Sequence, residues 1–237
     1  MVKTIALFIY LGFFLLITIF GLGIWLILTL MGAKKLRRNY TRWVVEAWAR
    51  HFLWLVGARV EVEGLERIPR SGRVCFIANH QSILDILCIL GYSGMAPGFI
   101  AKKELIRAPI MNLWMMVIHC VFIERRNPRK SLQAIEKGVR NLEKGYPMVV
   151  FPEGTRSRDG KVHEFKPGSL KLATRAKALV VPVTLQGTRD LYEKTGRFQK
   201  GRVRMVFHPP IDTALLSPEE RKELPATVQK IIESGMV

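Results

Sequence analysis

His80 and Asp85 stand five positions apart in Asn79-His80-Gln81-Ser82-Ile83-Leu84-Asp85. Inside one helix the two would be separated by about 140° around the axis. The spacing therefore suits His80 in a turn, with Asp85 in the first helical turns that follow. The imidazole then folds back to the carboxylate. Asp85 takes the hydrogen bond from one ring nitrogen and fixes the tautomer, which leaves the other free to accept a hydroxyl proton. With no protein nucleophile attached to the pair, the substrate must supply that hydroxyl. This points to direct transfer, an alcohol attacking an activated acyl group. Ser82 is the nearest alternative nucleophile, but no G-x-S-x-G elbow surrounds it. Taken alone, H-x4-D also describes a satisfied core histidine beside a helix-surface aspartate.

A second string, Phe151-Pro152-Glu153-Gly154-Thr155-Arg156-Ser157, follows about seventy residues later. Gly154 lets the backbone approach a ligand closely. Thr155 and Arg156 can donate hydrogen bonds, and Arg156 suits bidentate contact with a phosphate. Glu153 has three readings: it orients Arg156, binds a substrate hydroxyl, or closes a local salt bridge. Lys102, Lys103, Arg125, Arg126, Arg158 and Lys166 add positive charge near other strand ends. Of these, Lys102 and Arg125 are the preferred phosphate contacts, and solvated surface charge is the default for each of the rest. There is no Walker A loop and no G-x-G-x-x-G. His51, His80, His119, His163 and His208 form no H-E-x-x-H or tight ligand cluster, so no metal is expected.

These groups need a scaffold, and the composition bounds it. The chain has 237 residues and a formal net charge of +18, with a pI near 10.3 and a mean hydropathy of +0.15. One catalytic domain with a small extension fits that length. So basic a chain implies an anionic partner. A hydrophobic fraction of 49% favours lipid over nucleic acid, and no nucleic-acid-binding signature is present. Cys75, Cys88 and Cys120 lie in apolar surroundings and form no CxxC, which suits core packing in a reducing compartment.

Ile5 to Met31 carries no charge. As a straight helix it reaches ~40 Å against a hydrocarbon core of ~30 Å. It must tilt, bend or stop early, with Gly21 and Gly23 as the expected weak point. A single span and a re-entrant segment held in one leaflet are both open. Lys34, Lys35, Arg37, Arg38 and Arg42 follow the run and only Lys3 precedes it. The positive-inside rule then places the rest of the chain on the cytoplasmic face of the cell (inner) membrane. Residues 36–56 read as an amphipathic helix, with Arg38, Arg42, Glu46 and Arg50 as a polar stripe. Trp25, Trp43, Trp48 and Trp54 cluster in this portion, as expected for interfacial contact. Residues 1–57 are assigned to membrane-anchoring helices and 58–237 to a catalytic domain.

From residue 59 the pattern is α/β. Strands are expected around Val60–Val62, 73–78, 99–101, 120–123, 148–151, 179–185 and 202–207. Helices are expected at 82–90, 109–118, 131–144, 168–176 and 218–234, the last broken near Pro225. Ser82 is placed as a helix cap. Strands alternating with crossover helices imply one domain with a largely parallel central sheet flanked by helices.

At these residues the chain closely resembles the glycerolipid acyltransferase family. Asn79-His80 through Asp85 is similar to its N-H-x4-D motif. Val121-Phe122-Ile123-Glu124-Arg125, Phe151 through Ser157 followed by Phe165-Lys166-Pro167-Gly168, and Val181-Pro182-Val183-Thr184-Leu185 resemble three further motifs. All four occur in the family's order across 79–185. The resemblance implies an α/β acyltransferase domain behind membrane-associated N-terminal helices. It implies a general base at His80 and its orienting acid at Asp85. Arg125, Glu153, Gly154 and Arg156 fall at acceptor- and phosphate-binding positions, Lys102 beside that phosphate, and Pro182 in a segment that shapes the site; Thr155 joins the acceptor site on its own hydrogen-bonding chemistry. The expected reaction acylates 1-acyl-glycerol 3-phosphate (lysophosphatidic acid) from acyl-coenzyme A or acyl-carrier protein. No cofactor is expected beyond that donor, and the partners are an anionic bilayer and these lipids rather than nucleic acid.

Overall fold

The strand that leads to His80 is buried along its whole length, because it lies between two apolar cores. The computed structural model describes residues 2–124, 128–166 and 168–236. In chain order its elements are α1 (Val2–Leu30), α2 (Lys34–Val56), β1 (Ala58–Glu63), β2 (Val74–Ala78), α3 (Leu84–Tyr92), β3 (Gly98–Lys102), α4 (Met111–Val117) and β4 (Val121–Ile123). There follow α5 (Pro128–Glu143), β5 (Met148–Val150), α6 (Lys171–Arg175), β6 (Leu179–Gln186), α7 (Thr188–Leu191), β7 (Gly201–Phe207), β8 (Ile211–Asp212) and α8 (Pro218–Ser234).

The strands form one sheet in the order β1-β7-β6-β2-β5-β3-β4, with β8 on β6. Neighbours from β6 to β4 are parallel. β7 and β8 run antiparallel to β6, and β1 runs parallel to β7. Successive side chains of a strand point to opposite faces. In β2, Val74, Phe76 and Ala78 join one core with Phe52, Leu53, Leu84 and Cys88. Cys75 and Ile77 join the other, with Leu142, Leu172, Val228 and Ile232. Helices therefore cover both faces, as the near-continuous apolar runs of parallel strands require. The three cysteines are buried and unpaired. Burial pushes the Cys75 and Cys120 thiols up to about 12 and that of Cys88 well above its usual value. All three are packing residues, as expected.

Neither of two expected weak points ends its helix. α1 is continuous through Gly21 and Gly23. Gly21 instead provides close approach: its carbonyl accepts from Tyr40 Oη at 3.1 Å, and a Cβ at this position would lie 3.2 Å from the Trp114 ring. α8 also runs through Pro225. Leu224, Val228 and Ile232 hold it against the core on both sides of the proline, and a capping box at Ser217 and Glu220 fixes its start.

α1 and α2 form an antiparallel hairpin through Gly32, with Tyr10 Oη 2.7 Å from His51 Nε2. α1 also touches the rest of the chain near both ends. Thr4 Oγ1 accepts the Phe198 N–H at 3.1 Å, and Phe8 packs on Tyr192 and Phe198. Its outer face stays apolar and bare, with Phe13, Phe20 and Leu30 exposed, and α2 adds exposed Trp43 and Trp54. By length and composition Thr4–Leu30 is able to cross a membrane.

Candidate active site

β2 ends at Ala78, where parallel pairing with β6 reaches Val183. Asn79 carries the ladder one step further with its side chain. Its amide donates to the Leu185 carbonyl and accepts the Leu185 N–H, both at 2.8 Å. The chain then leaves the sheet and His80 sits at the C-terminal edge, as expected for an active group in an α/β fold.

His80 Nδ1 lies 2.8 Å from Asp85 Oδ2. The same oxygen accepts the N–H groups of Gln81 at 2.6 Å and Ser82 at 2.7 Å. Oδ1 accepts from Thr188 Oγ1 at 2.5 Å. Asp85 is fully buried, so these four donors take the place of water around the charge. An ionised carboxylate only accepts hydrogen bonds, which assigns the proton to Nδ1 and leaves the Nε2 lone pair open. The His80 side chain keeps 16% of its surface exposed, and one ring face stacks on Phe151 at 4.0 Å between centroids.

Ser82 is poorly placed to act as a nucleophile. It is fully buried, and its Oγ accepts the Leu84 N–H at 3.0 Å. Its capping role is modified: Ile83 is the N-cap of α3, and the Ser82 hydroxyl serves the first helical N–H from one residue further out.

The two motifs meet through backbone hydrogen bonds. Glu153 Oε1 accepts the His80 N–H at 2.8 Å, and the Ser157 N–H donates to the His80 carbonyl at 2.7 Å. Gln81 Nε2 donates to the Gly160 carbonyl at 2.8 Å, a third tie between the loops. Glu153 Oε2 accepts the His163 N–H at 3.3 Å. Burial raises the Glu153 carboxyl above its ordinary value, and the N–H groups of His80 and His163 oppose that rise. Glu153 is thus turned inward onto the His80 backbone, and it does not pair with Arg156.

Arg156 finds another partner. Its Nη1 lies 2.9 Å from Glu193 Oε1, which also accepts the Ile83 N–H at 2.9 Å. The arginine side chain is 49% exposed. Thr155 is exposed beside it, and Lys102 is exposed at the end of β3. Gly154 has φ 72°, and a Cβ there would come within 2.8 Å of Lys166 Nζ. Only glycine gives this turn both its left-handed backbone and room for the lysine above it. Arg125 lies outside the described residues. Pro182 is buried in β6 opposite Ile77, between the residues that pair with β8 and those that pair with β7. A residue without an N–H fits at that change of partner.

Thr188, Glu193 and Phe151 complete the site, and sequence reading gave the first two no part in it. Thr188 reaches Asp85 across 103 positions and Glu193 reaches Ile83 across 110. Neither belongs to a local pattern; only the parallel pairing of β6 with β2 brings their loop to the edge that carries His80.

The chain is similar to known proteins in sequence and in fold. A family model described as Acyltransferase matches residues 59–186. The 1-acyl-sn-glycerol-3-phosphate acyltransferase of Borreliella burgdorferi is 35% identical over 179 residues, 75% of this chain and 71% of that protein. A chloroplastic 1-acyl-sn-glycerol-3-phosphate acyltransferase of Arabidopsis thaliana is 33% identical over 178 residues; the match covers 74% of this chain and 49% of the plant protein. The crystal structure of the 1-acyl-sn-glycerophosphate (LPA) acyltransferase PlsC from Thermotoga maritima superposes with a TM-score of 0.85 at 33% identity, covering 99% of this chain and 95% of that one. The folded dyad, the motif order and these matches agree: the chain belongs to the acyltransferase family.

Proposed function

We propose that the chain transfers a fatty acyl group from a thioester, acyl-coenzyme A or acyl-carrier protein, to the sn-2 hydroxyl of 1-acyl-sn-glycerol 3-phosphate, forming phosphatidic acid. The observation that carries this reading is the His80–Asp85 pair, with its outer nitrogen open and Ser82 committed to its own helix. His80 Nε2 takes the proton of the acceptor hydroxyl as that oxygen attacks the thioester carbon. The C–S bond then breaks, and the imidazolium, held by Asp85, returns the proton to the departing thiolate. Arg156 and Lys102 bind the acceptor phosphate, with Thr155 and Gly154 beside them. Glu193 holds the guanidinium in place. Glu153 acts one step back, fixing the His80 backbone. The reaction as written uses no cofactor.

Residues 1–57 serve as the anchor in this reading. α1 is held by the folded chain at two separate points, at Thr4 by Phe198 and at Gly21 by Trp114. That favours a hairpin lying in one leaflet over an upright span. The cations after Met31 support a location on the cytoplasmic face.

The test is acyl transfer by purified protein in anionic lipid micelles. Labelled 1-acyl-glycerol 3-phosphate is supplied with oleoyl-coenzyme A or oleoyl-carrier protein, alongside His80→Ala. Phosphatidic acid from the wild type alone supports the reading, and the productive donor identifies the thioester. No product from a folded, lipid-bound enzyme, or product from another lysolipid only, overturns the acceptor. Free fatty acid without an acceptor would indicate a hydrolase.

A further inference from the structure

A cavity of about 1280 Å³ opens at the edge of the sheet opposite His80. Its walls are the end of α1, the first half of α2 and the segments that precede β2, β3 and β5. Val74 lines it, and His80 lies six residues further along β2, about 20 Å at the rise of a strand. The sheet and α3 separate the two sites. Nine lysine and arginine side chains line this cavity against one carboxylate, Glu143.

Most of that charge is uncommitted. Lys34, Lys35, Arg38, Arg42, Arg70 and Lys144 enter no ion pair among the described residues. Lys34 and Lys35 also occupy the first turn of α2, where the helix dipole already presents positive charge. Ala33 gives that helix no side-chain cap, and no acidic residue stands in its first turn. Cations crowded on an uncapped N-terminus repel one another, and an anion seated there relieves both defects. His119, on the cavity wall, registers the same field. Its pKa falls to about 4, first through burial and then through the charges of Arg37, Lys144 and Lys137.

We propose that this cavity binds the phosphate headgroup of an anionic bilayer lipid, as a site separate from the one where acyl transfer occurs. The lipid source follows from what adjoins the rim. Leu30 is 80% exposed and Met31 72%, just ahead of the first cavity lysine, and Leu36 is exposed in the same first turn of α2. A headgroup can enter among the cations while its chains remain against the apolar hairpin. A soluble anion would leave that surface bare.

Binding of the full chain to vesicles tests this without turnover, so the result stands apart from the assignment of the reaction. Sedimentation is measured with phosphatidylcholine vesicles with and without phosphatidylglycerol. The proteins are wild type, the cavity pairs Arg38→Gln/Arg70→Gln and Lys35→Gln/Lys144→Gln, and the control pair Lys200→Gln/Lys222→Gln, which removes the same charge from exposed sites elsewhere. Each cation near an anionic headgroup contributes about a fivefold factor, so each cavity pair should weaken binding to phosphatidylglycerol vesicles roughly 30-fold. The control pair should weaken it by about threefold or less, because screening limits distant charges. Acyl transfer in neutral detergent should match wild type for all three pairs. Equal losses in cavity and control pairs would mean diffuse surface attraction and overturn the site. So would full competition by soluble glycerol 3-phosphate, which would assign it to a free phosphate. Loss of transfer in neutral detergent by both cavity pairs would place the cavity in the catalytic cycle and overturn its separateness.

Discussion

At the C-terminal edge of the sheet, Asp85 has four donors for two oxygens, and Arg156 is held by a glutamate that also caps a backbone N–H. At the N-terminal edge, six lysines and arginines face a cavity with no ion-pair partner among the described residues. The difference is one of task. Proton transfer needs one nitrogen aimed within hydrogen-bond reach of a hydroxyl, so its supports are buried and fully paired. Binding an anionic headgroup, the task proposed for the second edge, needs cations that no carboxylate has already neutralised. Damage at the first edge should therefore appear in acyl transfer, in kcat for the dyad and in KM for Arg156, and damage at the second in vesicle affinity.

The sharpest break would come at His80. His80→Ala should lower kcat about 10³- to 10⁴-fold while leaving vesicle binding unchanged. Substantial residual transfer would remove the general-base assignment. Asp85→Asn should cost about 10³-fold, since an amide no longer fixes the tautomer or balances the imidazolium; single-turnover rates would measure it. Arg156→Gln should act mainly on KM for the phosphate-bearing acceptor, raising it about tenfold with kcat within about twofold. A purely kcat effect would place Arg156 with the dyad. Thr188→Val removes a hydrogen bond to a buried carboxylate, worth about 1.5 kcal/mol or more. It should reduce kcat about tenfold and shift the acid limb of the pH–rate profile, whereas Thr188→Ser should restore both. A role limited to packing would leave the pH limb in place.

The smallest effect concerns Glu153 and stability. Burial raises its carboxyl in the folded chain, so the folded state holds this proton more tightly than the unfolded state. Its contribution to stability is full below the ordinary glutamate pKa, near about 4.3, and is lost as pH rises through the raised folded value. Glu153→Gln cannot titrate. The melting temperature of wild type minus that of the variant should therefore fall as pH rises from about 4 to about 7. A difference that grows with pH would show that hydrogen bonds from His80 and His163 outweigh burial.

Local chemistry made much of this molecule legible. The apolar run Arg73–Ala78, the break at Asn79-His80 and the spacing to Asp85 are adjacent in sequence, so backbone geometry alone brings the dyad together. Periodicity located α2, α5 and most strands, because one buried face repeats at a fixed step. Neither Gly21 nor Pro225 ends its helix, for one reason: tertiary packing on Tyr40 and Trp114, and on the α8 core, holds each helix through a residue that favours interruption. The antiparallel β6–β7 pairing was equally hidden, since strand direction is not written in a run of apolar residues.

The sequence by itself determined that His80 and Asp85 meet as a pair, that the sheet is largely parallel and that the N-terminus is apolar, since each is a matter of residue type at short range. Only the tertiary structure decided that Glu153 grips the His80 backbone, that Thr188 and Glu193 complete the site, and that α1 folds back along α2. Those contacts join positions far apart in the chain, and burial of both faces of the sheet is what brings them together.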